Sequence, residues 1–321
     1  MWMRTFARMN QQQRVICRYD EGRKGPLLIC LGGIHGNEPA GVQAIKTVGT
    51  LLHHERSMNP GFEFSGRMLG LAGNVQALEK SKRFISMDMN RAFTGERIAH
   101  VFEADVDTLT AEDLELRQLI AVIRDEIREY QPERIVLLDI HSTSATGGIF
   151  VIASEDPESA RIGVELHAPV ILNFAKEVTG TTLGFFGKQN FDTEIVTVVF
   201  ESGQHNEPLS VNRAIAAIIN CMRTIGCVSP EAVENKHDKL LQEYSQGLPK
   251  VAKLIERYGI QGREPFRMAR PFANFAKVTA GEVVAYEGEH PVRAIHNGLI
   301  LLPRLQDQGD DGFFVVAPVS E

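Results

Sequence analysis

Two side chains able to grip a cation stand three residues apart in Leu31-Gly32-Gly33-Ile34-His35-Gly36-Asn37-Glu38-Pro39-Ala40-Gly41. An imidazole and a carboxylate at that spacing can reach one ion if the chain turns between them, and the interspersed glycines give the backbone that freedom. The apolar run Leu27 to Leu31 precedes the pair, and a helical pattern from Ala40 to His54 follows it. His35 and Glu38 therefore belong where a buried strand ends and a helix begins, which is where open α/β sheets place their chemistry. His141 leaves a second buried run, in Asp139-Ile140-His141-Ser142-Thr143, at an equivalent rim. Two imidazoles and one carboxylate, with a fourth position left for water, form the usual ligand set of a catalytic zinc ion. Such an ion lowers the pKa of its water and polarises a carbonyl.

Three further groups fit around that triad. Asp139, two residues before His141, shares its face of the strand and can orient a ligand imidazole; a buried carboxylate bonded to backbone amides is the competing reading. Glu201 follows Thr197-Val198-Val199-Phe200 and is placed to act as a general base. It could instead cap the next helix, although Glu is a weak N-cap. Arg83, Asn90 and Arg91 lie in a polar stretch, and Arg forks suit bidentate recognition of a carboxylate. His205, trailing Glu201 in Glu-Ser-Gly-Gln-His, is a lesser candidate for an acid–base role.

The elements that must position these groups alternate. Strands are expected at Arg14 to Arg18, Leu27 to Leu31, Arg67 to Ala72, Ile135 to Ile140, Gly148 to Ala153 and Ile195 to Phe200. Helices are expected from Ala40, with Asn37 as cap, over Ala111 to Tyr130 behind a Thr110/Asp113 capping box, and over Val211 to Ile225. Alternation of this kind predicts an α/β fold, a mostly parallel sheet flanked by helices, followed by a small C-terminal β domain. The domain limits read as 1–226 for the catalytic unit, 227–271 for a helical connector and 272–321 for the β-rich end.

Of the 321 residues, 43% are hydrophobic and 23% charged, ordinary for a globular chain. A net charge of −7 gives none of the basic bias that nucleic-acid binding needs. No apolar run approaches the roughly 18 residues of a membrane span, and the start lacks a signal-peptide core, so a cytoplasmic location is expected. The four cysteines form no C-x-x-C pair. The glycines of Gly32 to Gly41 fit neither dinucleotide nor P-loop patterns, which argues against a nucleotide-binding module. A metal-binding protein without catalysis would leave Glu201 unexplained.

The ordered set H-x-x-E, N-R-x-F, D-x-H-x-T and E-x-G, spread over Leu27 to His205, resembles the succinylglutamate desuccinylase/aspartoacylase family, relatives of the zinc carboxypeptidases. The resemblance implies a zinc-dependent amidohydrolase that cleaves the N-acyl bond of a small anionic N-acyl amino acid. By the same resemblance, His35, Glu38 and His141 hold one Zn2+, Glu201 is the catalytic carboxylate, and Arg83, Asn90 and Arg91 bind substrate. Aspartoacylases carry a further Arg shortly before the catalytic Glu; between Gly184 and Phe200 this chain has only Lys188, a point charge rather than a fork. Tyr286 is the candidate for the C-terminal substrate tyrosine. A carboxypeptidase-like peptidase is the alternative: a β-rich end lying over the cleft favours small substrates, and one set aside admits peptides. No nucleic-acid or membrane partner is expected, and a homo-oligomer is compatible with the sequence.

Overall fold

Continuous apolar runs can be strands only where both faces of a sheet are covered, and the middle of this protein is built that way. The structure, a computed structural model, describes residues 14–187, 190–232, 236–262 and 264–319. Its strands are β1 (Val15–Asp20), β2 (Leu27–Gly32), β3 (Arg67–Ala72), β4 (Ile135–Thr143), β5 (Phe150–Ala153), β6 (Val170–Leu172), β7 (Ile195–Gln204), β8 (Val251–Gly259), β9 (Phe266–Met268), β10 (Ala276–Val278), β11 (Val283–Glu287), β12 (His290–Arg293), β13 (Gly298–Leu301) and β14 (Asp311–Pro318). The longer helices are α1 (Ala40–Met58), α2 (Gly95–Glu103), α3 (Ala111–Tyr130), α4 (Pro157–Glu165), α5 (Leu209–Ile225) and α6 (Lys236–Tyr244). The main sheet runs β1-β3-β2-β4-β7-β5-β6-β8-β14-β13-β10. Its centre, β3-β2-β4-β7, is parallel throughout.

Helices cover both faces. One core packs α1 and α5 on the sheet through Ile45, Val48, Ile218 and Met222 against Leu28, Val136 and Val198. The opposite core packs α3 through Leu116, Leu119, Ile120 and Ile123 against Leu27, Ile29 and Leu137. The capping box at the head of α3 is present: Thr110 Oγ1 accepts from the Asp113 amide and the Asp113 carboxylate accepts from the Thr110 amide. Asn37 does not cap α1. Pro39 occupies that position without a side-chain bond, and the Asn37 amide instead donates to Gln306 Oε1 at 3.0 Å. A tertiary contact has claimed the side chain that local propensity assigned to the helix. Among the described residues no helix is long and apolar enough to cross a membrane.

The C-terminal third departs from the expected layout. The stretch 227–271 is not a helical connector: after α6 it contributes β8 and β9. β8 pairs parallel to β6 and antiparallel to β14, so the C-terminal strands extend the main sheet instead of standing apart. Only β12-β11-β9 form a second, three-stranded sheet. The charged appearance of Val251–Gly259 conceals a half-buried strand, with Ala252, Leu254 and Glu256 inward and Lys253 and Arg257 outward.

The turn after β2 is the tightest part of the frame. Gly33 holds φ at +71°, and a Cβ on Gly36 would lie 2.0 Å from the carbonyl carbon of Ala77. Backbone cannot yield at that range. Gly36→Ala is expected to destabilise the fold by about 1–3 kcal/mol or more, the usual cost of overpacking, read as a lower midpoint in thermal or urea unfolding; an unchanged midpoint would refute the close approach.

Candidate metal centre and substrate cleft

Strand register brings the chemistry to one rim. β4 lies between β2 and β7, with Ile140 opposite Gly32 on one side and His141 opposite Glu201 on the other. The chain leaves β2 and turns at once, the Glu38 amide donating to the His35 carbonyl at 3.1 Å, which points both side chains the same way. The Glu38 carboxylate then sits between two imidazoles: Oε1 is 2.9 Å from His35 Nδ1 and Oε2 is 3.0 Å from His141 Nδ1. One donor atom from each of His35, Glu38 and His141 lies within 4.8 Å of the others, and all three residues are buried.

The outward ring nitrogens are also held. His141 Nε2 is 3.0 Å from Asp139 Oδ2, and His35 Nε2 is 3.1 Å from Asp88 Oδ1. Asp139 is fixed in turn by the Thr182 hydroxyl, which donates to Oδ2 at 2.6 Å. Asp88, which the sequence reading did not single out, also caps the short turn Met89–Arg91 and accepts from Arg83 Nη2 at 3.0 Å. Its signal was its place two residues before Asn90, but an Asp in a polar stretch is ordinary, and its partner lies 53 residues away.

The charges interact strongly. Burial disfavours ionisation of Glu38, but His35 and His141 outweigh it and hold the carboxyl well below the usual range. Burial likewise opposes a charge on Asp88, and His35 and Arg83 overcome it. The His141 imidazole is raised well above its ordinary value, Asp139 and Glu38 prevailing over burial. Glu201 behaves oppositely: burial pushes its carboxyl up to about 8, with Glu38 and Asp139 adding to the rise and His141 opposing it. Its Oε2 is buried without a hydrogen-bond partner.

A cleft of about 850 Å³, part of it open to solvent, is lined by these groups and by Arg83, Asn90, Arg91 and His205. Arg83 bonds Asp88 and approaches Glu38 Oε1 at 3.4 Å. Asn90 Oδ1 accepts from the Thr182 amide at 3.0 Å. Arg91 pairs with Asp311 of β14, which also takes Arg257 Nε at 2.7 Å; Arg91 Nε is buried without a partner. His205 Nδ1 is 2.8 Å from Ser142 Oγ, and burial lowers its pKa. Tyr286 is elsewhere, on β11 beneath the Arg267 guanidinium at 4.1 Å, and does not line the cleft. Lys188 lies outside the described residues.

The segment between β13 and β14 lies across the mouth. Leu302, Arg304, Gln306, Gln308 and Gly309 line the cleft. Gln306 meets Asn37, the Leu305 amide donates to Ser144 Oγ at 3.2 Å, and Gln308 Nε2 donates to the Phe84 carbonyl at 3.4 Å. The lid is thus tied to both sides of the rim.

Residues 24–224 match the model of the succinylglutamate desuccinylase/aspartoacylase catalytic domain. The chain belongs to that family. It is 32% identical over 128 residues to a probable aspartoacylase of Nostoc, covering 40% of this chain and 39% of that one. It is 36% identical over 88 residues to a succinylglutamate desuccinylase of Pseudomonas putida, covering 27% and 24%. These alignments span well under half of the relatives' own lengths. Among solved structures, a succinylglutamate desuccinylase/aspartoacylase from Rhodobacter sphaeroides superposes with a TM-score of 0.61 at 18% identity, covering 92% of this chain and 87% of that one. A product-bound ectoine utilization protein from Ruegeria pomeroyi gives 0.60 at 17% identity, covering 94% and 87%. At such identities the likeness concerns the fold.

The carboxylates behind the imidazoles should tune metal affinity. Asp139→Asn is expected to weaken zinc binding by about 10–100-fold, the usual effect of losing an acceptor behind a ligand histidine, whereas His35→Ala should abolish stoichiometric zinc. Metal analysis and competitive chelator titration measure both, and full zinc occupancy in His35→Ala would remove that ligand.

Proposed function

We propose that the protein is a zinc-dependent amidohydrolase that cleaves the N-acyl amide of a small anionic N-acyl amino acid. The observation that carries this reading is the convergence of His35, Glu38 and His141 on one point beside the unpartnered Glu201 carboxyl. The residues fit a divalent cation. Two Nδ1 atoms and a carboxylate face one another, both outward Nε2 atoms are braced by carboxylates, and the donor set is that of catalytic zinc. Four buried carboxylates, Glu38, Asp88, Asp139 and Glu201, crowd the two imidazoles, with Arg83 bonding Glu38 and Asp88, and a bound cation would ease that concentration of negative charge. His35, Glu38 and His141 would hold the ion, which when bound supplies Lewis acidity toward the amide carbonyl and toward water.

The remaining chemistry belongs to this chain's own residues. Glu201 takes the proton from the attacking water at its carboxylate and returns it to the leaving nitrogen. Its burial raises the basicity of the carboxylate, while a cation held at the triad would act in the opposite sense and favour its ionised form. Arg91, in the cleft wall, anchors a substrate carboxylate, with Asn90 beside it and Arg83 steadying Glu38 and Asp88. Orientation of this kind shortens the search for the reactive geometry. The lid segment Leu302–Gly309 favours a small substrate over a peptide, because its tether to Asn37, Ser144 and Phe84 narrows the mouth.

Glu201→Gln is expected to retain zinc and lose about 10²–10⁴-fold in kcat, the usual worth of a positioned general base. Undiminished turnover of an N-acyl amino acid would assign the proton transfer to another group. Arg91→Ala should leave the fold intact, since Asp311 keeps Arg257, and raise KM for anionic substrates by roughly 10–100-fold, the worth of a charge-assisted hydrogen bond. Steady-state kinetics with unchanged KM would remove Arg91 from the substrate site.

A further inference from the structure

Beyond Glu201 the cleft changes character. On β7, Val199 lies two residues before Glu201 and so shares its face. Across the antiparallel pairing with β5, Ile152 stands opposite Val199. The floor that carries the carboxylate therefore continues as an aliphatic surface toward β5. Phe174, Leu183, Leu302 and Phe314 close over it, with the Phe174 and Phe314 rings 4.9 Å apart. These side chains line the same cleft as the metal-binding triad while belonging to one apolar cluster.

Leu302 carries an independent sign of function. Its φ is +49°, a left-handed conformation unusual for a bulky residue. It is held there by its amide, which donates to Asn274 Oδ1 at 2.8 Å. Strain of this kind persists where the surroundings over-determine it, often at ligand sites.

Among the described residues, several polar groups bordering this half already have partners. Thr182 serves Asp139 and Asn90, the Thr181 hydroxyl accepts from the Gly184 amide, and Thr143 Oγ1 donates to the Ala145 carbonyl. Arg91 is shared with Asp311, and Arg304, the remaining arginine of the lining, lies on the lid with Asp310 and Asp311 also in the wall. A second carboxylate would meet an apolar wall on one side and acidic groups on the other.

We infer that this half of the cleft is a specificity pocket for an aliphatic or aromatic group next to the scissile amide, in the place where a dicarboxylic substrate would carry its second carboxylate. The inference rests on the deacylase reading for its orientation. The apolar group can enter as the acyl chain or as the amino-acid side chain, and the substrates chosen below separate the two.

The zinc-loaded protein is assayed with N-acetylaspartate, N-succinylglutamate, N-hexanoylaspartate and N-acetylphenylalanine, and calorimetry compares hexanoate with succinate and phenylalanine with aspartate. N-hexanoylaspartate or N-acetylphenylalanine, each with one apolar arm, is expected to exceed both N-acetylaspartate and N-succinylglutamate in kcat/KM by at least about tenfold, the worth of a few buried methylenes. Preference for N-hexanoylaspartate places the acyl chain in the pocket, and preference for N-acetylphenylalanine places the side chain there. Leu302→Glu should cut that preference at least about tenfold relative to N-acetylaspartate. Val199→Thr, which keeps side-chain volume and so guards against misfolding, should reduce it in the same direction. N-acetylaspartate or N-succinylglutamate turned over as well as or better than both N-hexanoylaspartate and N-acetylphenylalanine, or a preference that survives both substitutions, overturns the pocket. Hydrolysis of none of the four overturns the deacylase reading alone. The calorimetry still judges the pocket: tighter hexanoate or phenylalanine binding, weakened by Leu302→Glu, supports it, and tighter succinate and aspartate binding rejects it.

Discussion

Everything in the site depends on the Glu38 carboxylate lying between two imidazoles in a place from which water is largely excluded. A carboxylate buried in that way is costly unless it is both paired and hydrogen-bonded. Glu38 is satisfied from three directions: His35 Nδ1, His141 Nδ1 and the Ser142 amide at 3.0 Å. The imidazoles then need their own partners, and Asp88 and Asp139 provide them. Each added carboxylate calls for another donor, and Arg83 and Thr182 follow from that requirement. The result is a closed set of bonds in which no ring can rotate without leaving a buried charge unpaired. Rigidity of this sort is what a metal site needs of its ligands.

The same constraint explains why the ligands come from the ends of adjacent parallel strands. β2 stops at the level of Ile140, β4 and β7 run on past it with His141 and Glu201 side by side, and the turn after β2 brings His35 and Glu38 to the same rim. The lid is bound to this rim by neutral hydrogen bonds, and just beyond it Asp311 of β14 joins Arg91 to Arg257 of β8. A displacement of β14 would therefore alter the partner of Arg91.

The parts legible in the sequence were those written locally. The run Ile135–Ile140, apolar except for Asp139 and followed by His141, a glycine-rich turn around His35 and a Thr110/Asp113 pair each announce their structure within a few residues, and the fold class follows from the alternation of strands and helices. The parts that were not legible depend on distant partners. Asp88 looks like one more surface acid until His35 is folded against it. Asn37 reads as a helix cap, and a residue 269 positions away takes its amide. Val251–Gly259 looks helical because its charges are frequent, and only pairing with β6 and β14 shows Lys253 and Arg257 turned outward and Glu256 inward. Tyr286 is a substrate candidate only by the family resemblance, and β11 holds it in the outlying three-stranded sheet, away from the cleft.

Strand alternation also accounts for how one cleft can hold both a dense cluster of charges and an apolar wall. Along β7 each step of two residues advances about 6.6 Å on the same face, so Glu201 and Val199 look into one space from adjoining positions. Across the sheet, His141 and Asp139 of β4 continue the polar floor, while Ile152 of β5 continues the apolar one. The boundary between them is the β7 strand itself. A bond to be cut beside Glu201 therefore has charge on its β4 side and hydrocarbon on its β5 side, and a substrate that is polar at one end and apolar at the other satisfies both without burying an unpaired group.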